Sequence, residues 1–137
     1  HAILHVRVAS WLPSLCRATA MKLSQSQALD LWRLVLAKSL AANGTDLTAR
    51  QMLLLLTVYR TEGPHTVRGL AATLGISKPA VTRALDRLGQ LDLTRRKRDE
   101  RDRRNVLVQR TVKGSVFLAD FAATIGDTAA TVTRTDQ

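Results

Sequence analysis

Apolar residues recur at helical spacing along most of this chain, and the interruptions fall where helices start and stop. Ala28, Leu31, Trp32, Val35, Leu36 and Leu40 repeat at three- and four-residue intervals behind Ser24 and Gln27, which have the spacing of a capping box. Asn43-Gly44 supplies the stop. A second capping box, Thr48 with Gln51, precedes residues 52–58, a run that is apolar on every face. That run predicts a helix buried on all sides and closed by Gly63-Pro64. Thr66 can cap a short helix over 67–74 that ends at Gly75. Ser77 caps the next helix, and Pro79 sits in its first turn, where a missing N–H does no harm. Val81, Ala84, Leu85 and Leu88 form its inner stripe, and Gly89 marks its end. Beyond it the pattern changes. Residues 93–98 and 105–110 read as the two strands of a hairpin. A last helix begins near Val112 with Phe117, Phe121, Ile125, Thr128 and Val132 along one seam, weakened at Gly126 by about 1 kcal/mol.

Helix, helix, helix–turn–helix, hairpin, helix is a winged-helix order. The expected fold is therefore mainly α with a small β-hairpin wing, an α+β arrangement of one domain. Its parts are an N-terminal helix within 21–46, a winged helix–turn–helix over 47–111 and a C-terminal helix within 112–137. Residues 1–20 read as an extension ahead of Met21: they carry no acidic residue, and Leu4, Val8, Leu12 and Leu15 recur at helical spacing. Ala18-Thr19-Ala20 resembles a signal-peptidase site, but Arg7 interrupts the apolar run, so an extension is preferred to a cleaved signal. A length of 137 residues suits a single core, and a 4% aromatic share implies that it is built from Leu, Val and Ala. Cys16 is the only cysteine, which rules out an internal disulfide and makes a reducing cytoplasm, at the nucleoid, the expected setting. No apolar run is long enough to span a bilayer.

Charge says what such a fold would meet. The net charge is +10, and residues 93–110 alone contain eight Lys or Arg against three acids, half of that excess. A membrane surface is the weaker candidate partner, because the basic residues cluster on a hairpin instead of lining an amphipathic helix. A hairpin tip crowded with guanidinium groups is suited to phosphates. Arg95, Arg101, Arg103 and Arg104 are the expected wing contacts to double-stranded DNA. The outer face of residues 78–90 supplies the rest: Lys78, Pro79, Thr82, Arg83 and Arg87, with Ser77 as cap and phosphate donor. Arg83 has the reach to pair bidentately with guanine. Asp99 and Asp102 lie within reach of neighbouring arginines and would stiffen the tip through exposed pairs worth under about 1 kcal/mol.

These residues carry a resemblance. Leu70-Ala71 to Leu74-Gly75, then S-K-P-A-V-T-R-A-L-D-R-L from Ser77, then D-E-R-D-R-R from Asp99 with Thr111 and Gly114 beyond, resemble the MarR family of bacterial transcription regulators over roughly residues 47–118. The resemblance implies a homodimer that binds a pseudo-palindromic operator and acts as a repressor. Recognition helices would lie in major grooves and wings in flanking minor grooves. It also implies that Asp99 and Arg101 brace the wing and that the first and last helices form the dimer, although this sequence has room for one helix after Gly114 where the family commonly has two. Arg110 stands where such proteins usually carry Leu. Small aromatic or phenolic effectors bind many members between the dimerisation helices and the DNA-binding lobe, which singles out Trp32, Met52, Tyr59 and His65. A lone N-terminal cysteine serves some relatives as a peroxide sensor, but an inert Cys16 is the preferred reading.

No cofactor or metal is expected: His1, His5, His65 and Cys16 have no ligand spacing. Nor is an enzyme, since the chain has no phosphate-cradling Gly-rich loop, H-E-x-x-H or nucleophile elbow. The alternative function is a sequence-indifferent, architectural nucleic-acid-binding module.

Overall fold

The computed structural model describes residues 22–43 and 45–134. Readings that concern residues 1–20, Met21, Cys16 and Gly44 lie outside them. Five helices and three strands follow in the order α1 (Gln25–Asn43), α2 (Ala49–Arg60), β1 (His65–Thr66), α3 (Val67–Leu74), α4 (Lys78–Gln90), β2 (Thr94–Arg98), β3 (Val106–Arg110) and α5 (Val112–Arg134). The architecture is mainly α with a small antiparallel sheet, a winged helix.

Local chemistry places the helix starts. Ser24 Oγ accepts the Gln27 N–H at 3.1 Å while Gln27 Oε1 accepts the Ser24 N–H at 2.8 Å. Thr48 and Gln51 repeat the exchange at 3.2 and 3.0 Å. Thr66 accepts the Gly69 N–H at 2.9 Å to start α3. Gly75, at φ 63°, ψ 30°, ends α3 in the left-handed conformation that glycine adopts without strain. Ser77 then caps α4.

The core joins α2, α3, α4 and the base of the wing. Leu54, Leu55 and Val58 of α2, Val67 and Leu70 of α3, Val81, Ala84, Leu85 and Leu88 of α4, and Leu93 and Val108 around the wing form one buried cluster. Each full Leu or Val burial contributes about 1.5–3 kcal/mol, so α4 is anchored along its whole inner stripe. α1 and α5 pack on each other apart from this cluster. Val35, Thr128, Ala129 and Val132 are buried, and Lys38 Nζ donates to Thr128 Oγ1 at 3.1 Å.

Three expectations are corrected. α2 is not buried on all sides: Leu53 is 45% exposed and Leu56 only half-buried. Its apolar circumference faces two places, the core on one side and an open groove toward α1 and α5 on the other. The α5 seam is only partly a core seam, because Phe117 and Phe121 face that same groove and Ile125 is exposed. Finally, the wing is three strands wide. β3 lies between β1 and β2, with His65 opposite Val108 and Thr66 opposite Leu107. A two-residue strand carries no period, so β1 has no signature of its own in the sequence.

Candidate nucleic-acid interface

α4 divides cleanly around its axis. Ala80, Val81, Ala84, Leu85 and Leu88 are buried, whereas Ser77, Lys78, Pro79, Arg83 and Arg87 are exposed and Thr82 is half-buried. Lys78, Pro79, Thr82 and Arg83 surround one shallow depression on the first two turns. Thr82 Oγ1 donates to the Lys78 carbonyl at 3.0 Å, which leaves its lone pairs facing outward as acceptors.

The wing is divided by the strand period of two. Arg96 pairs with buried Val108 and Thr94 with Arg110, so these positions face the body. Arg96 reaches back from there to the Asp86 carboxylate on α4. Arg110 also folds back: Nε donates to the Val58 carbonyl at 2.9 Å, Nη2 donates to the Thr61 carbonyl at 3.2 Å, and the guanidinium lies 5.8 Å from the Tyr59 ring centroid. It satisfies carbonyls at the C-terminal end of α2, where a cation is also favoured by the helix dipole. Two of the basic residues counted toward the hairpin therefore serve the fold. Arg95 and Lys97, opposite Gln109 and Leu107, lie on the other face.

At the tip, the acids hold main chain. Asp99 Oδ1 accepts the Arg101 N–H at 2.9 Å, and Asp102 Oδ1 accepts the Arg104 N–H at 3.1 Å. The Asp99–Arg101 brace thus runs through the backbone of Arg101, not its guanidinium. Arg101, Arg103 and Arg104 are all exposed, and Arg104 stands at 3.9 Å from Asp102 with its side chain 83% accessible. Two acids fix the turn and leave the guanidinium groups outward.

The base of the wing hangs on a hub not foreseen from sequence. Tyr59 Oη accepts the Thr111 N–H and donates to the Leu93 carbonyl, each at 2.8 Å. Thr111 Oγ1 accepts the Gly114 N–H at 2.9 Å, capping α5, and donates to the Asp92 carbonyl at 2.7 Å. Thr-x-x-Gly is therefore a cap followed by a glycine in tight space. Thr111 and Gly114 stood out in the sequence only as a spacing; Tyr59 is 52 residues away from Thr111. Asp92 itself sits at φ 57° between α4 and β2, a conformation that costs a non-glycine residue roughly 1 kcal/mol. Asp92→Gly is expected to raise stability by about 0.5–1 kcal/mol, read as a higher urea midpoint at constant slope.

The four positions singled out for an effector separate. Trp32 and Met52 line the groove between α1, α2 and α5, a space of about 650 Å³. Tyr59 and His65 lie outside it. Tyr59 serves the wing hub, and His65 Nε2 meets Thr61 Oγ1 at 3.3 Å and the Thr61 carbonyl at 3.2 Å. Among the described residues no cluster of His, Cys, Asp and Glu could hold a metal ion, and no helix is long and apolar enough to cross a membrane.

Comparison with known proteins agrees with this geometry. Residues 47–106 match the model of the MarR family. The structure of YusO protein from Bacillus subtilis superposes with a TM-score of 0.65 at 24% identity, covering 77% of this chain and 72% of that one. The S. aureus MepR–DNA complex gives 0.67 at 20% identity, over 81% and 89%. These two likenesses are of fold. A mutant of E. coli MarR complexed with operator DNA gives 0.59 at 25% identity, over 81% and 74%. No curated protein sequence matches the chain. The match spans the second capping box, the helix–turn–helix and the wing up to Val106, so residues 47–106 are similar to the MarR family, to which solved structures of transcription regulators also belong.

Proposed function

We propose that this protein is a sequence-specific, dimeric DNA-binding regulator that represses transcription from a pseudo-palindromic operator. The observation that carries the reading is the division of α4. Its inner stripe is wholly buried while Lys78, Pro79, Thr82 and Arg83 are presented together on its first two turns. Those turns enter the major groove in a helix–turn–helix reader. Ser77 and Arg87 flank them toward phosphates. Arg101, Arg103 and Arg104 lie against the adjacent minor groove, where negative potential draws arginine, and Arg95 contacts backbone. The DNA-complex structures among the neighbours support the same assignment.

Residues 47–111 form the reading unit, and α1 with α5 forms the dimerisation part. Exposed Leu29 and Ile125 supply apolar surface for a second copy. The groove between α1, α2 and α5 is the effector site, placed so that an occupant bears on α2 and, through the core, on α4. Cytoplasmic action at the nucleoid follows from a DNA target.

Fragments selected from a random duplex library should contain an inverted repeat bound at least roughly 10³-fold more tightly than random sequence. Recovery of no common sequence would favour an indifferent coating protein. Arg83→Ala is expected to cost about 1–3 kcal/mol and to relax preference at one position per half-site. An unchanged selected sequence would remove this helix from the groove.

A further inference from the structure

The groove has a charge character opposite to that of the rest of the molecule. In a chain of net charge +10 with 21 Lys and Arg, the groove lining includes no Lys, Arg or His among the described residues. Among the described residues its charged members are Asp46 and Asp120. Its walls also gather the aromatic surface: Trp32, Phe117 and Phe121 all face it, every Phe and Trp of the described residues. Ser39 adds a hydroxyl that is buried without a hydrogen-bond partner among the described residues, on the same wall.

Aromatic faces attract cations through their ring quadrupoles. Asp46 and Asp120 are exposed on the same walls, so their carboxylates add an attraction of the same sign that solvent partly screens. The same features repel a phenolate or carboxylate, because such an anion would meet two like charges and no compensating cation. A volume near 650 Å³ suits a multi-ring organic molecule. We infer that the groove binds an amphiphilic aromatic cation, with Asp46 and Asp120 taking its charge and Trp32, Phe117 and Phe121 its rings. This rests on the reading of the groove as the effector site and narrows its ligand to one sign of charge.

Tetraphenylphosphonium and tetraphenylborate test the assignment, since they share a shape and differ in sign. Titration calorimetry on the full chain without DNA should show the cation bound at least roughly tenfold more tightly than the anion. The overall field of a strongly basic protein favours the anion, so non-specific attraction would give the reverse order. Asp46→Asn with Asp120→Asn should bring the ratio near unity, while Asp120→Glu should retain it. Thermal melts would establish that each variant is folded. Equal affinities, a preference for borate, or a ratio unmoved in the double variant would overturn the inference. So would binding of neither ion. Titration of the same sample with operator and random DNA separates the two proposals. DNA selectivity without cation preference removes only the ligand class; cation preference without DNA selectivity removes only the regulator reading.

Discussion

Replacing Arg101, Arg103 and Arg104 together by alanine is expected to weaken DNA binding by roughly 10²–10³-fold while leaving the melting curve within experimental error of the parent. The three guanidinium groups are exposed, and the contacts that shape the tip are made by Asp99 and Asp102 to backbone N–H groups, which alanine retains. Loss should therefore fall on binding and not on the fold. Because these residues neutralise phosphates, affinity for operator and random duplex should fall together. The slope of log affinity against log salt should flatten by about 0.9 for each lost contact per subunit. An unchanged slope would mean that the wing does not touch DNA. A protein-interaction adaptor that kept the fold without reading DNA would be indifferent to the triple change. Arg96 and Arg110 are the internal control: they are equally basic and equally close in sequence, yet they are engaged with Asp86 and with the end of α2. Arg110→Ala should therefore lower stability while leaving the salt slope near that of the parent.

Gly114→Ala is expected to be the most damaging single change to the fold, costing about 2–4 kcal/mol and at least about 8 °C in melting temperature. In most helical positions this substitution stabilises by up to about 1 kcal/mol. Here an added methyl would run into the Tyr59 hydroxyl and the Leu93 carbonyl. Leu93 is buried, and its carbonyl is main chain, so it has little freedom to withdraw. If Tyr59 moves instead, the Thr111 N–H and the Leu93 carbonyl lose their partner, at about 1–3 kcal/mol for each buried group left unsatisfied. Tyr59→Phe separates these contributions, since it makes room beside the methyl while removing the hydroxyl. The double variant should consequently be less destabilised than the sum of the two single ones. A melt equal to or above the parent's for Gly114→Ala would show that the hub gives way easily and does not fix the wing.

Much of the helix–turn–helix was legible because its signals are local. Capping boxes, Gly75, Ser77 and the stripe of Val81, Ala84, Leu85 and Leu88 act within a turn or two of their own position, and each appears where its pattern put it. Arg83 and Lys78 followed as exposed positions by geometry alone. Hairpin placement was equally local: the two strand-like runs on either side of a polar, charged turn became β2 and β3 to within a residue. The first pattern to mislead was one that fits two situations. An all-apolar run such as residues 52–58 suits a helix sunk in a core and also one shared between a core and an open groove. Leu53 and Leu56 belong to the second case.

Composition and periodicity thus determined on their own that this chain would fold as helices around a Leu- and Val-rich core, with a basic hairpin beside a capped helix. They could not decide which of the hairpin's arginines would be spent on the protein itself. That depended on the strand period meeting two distant partners, Asp86 on α4 and the carbonyls that end α2. Nor could they show that Asp46 and Asp120, 74 positions apart in a basic chain, would share one groove with Trp32 and both phenylalanines. Caps and stripes are short-range effects carried by neighbouring residues, whereas the sign of charge in a cleft is set by whichever side chains packing brings to its walls.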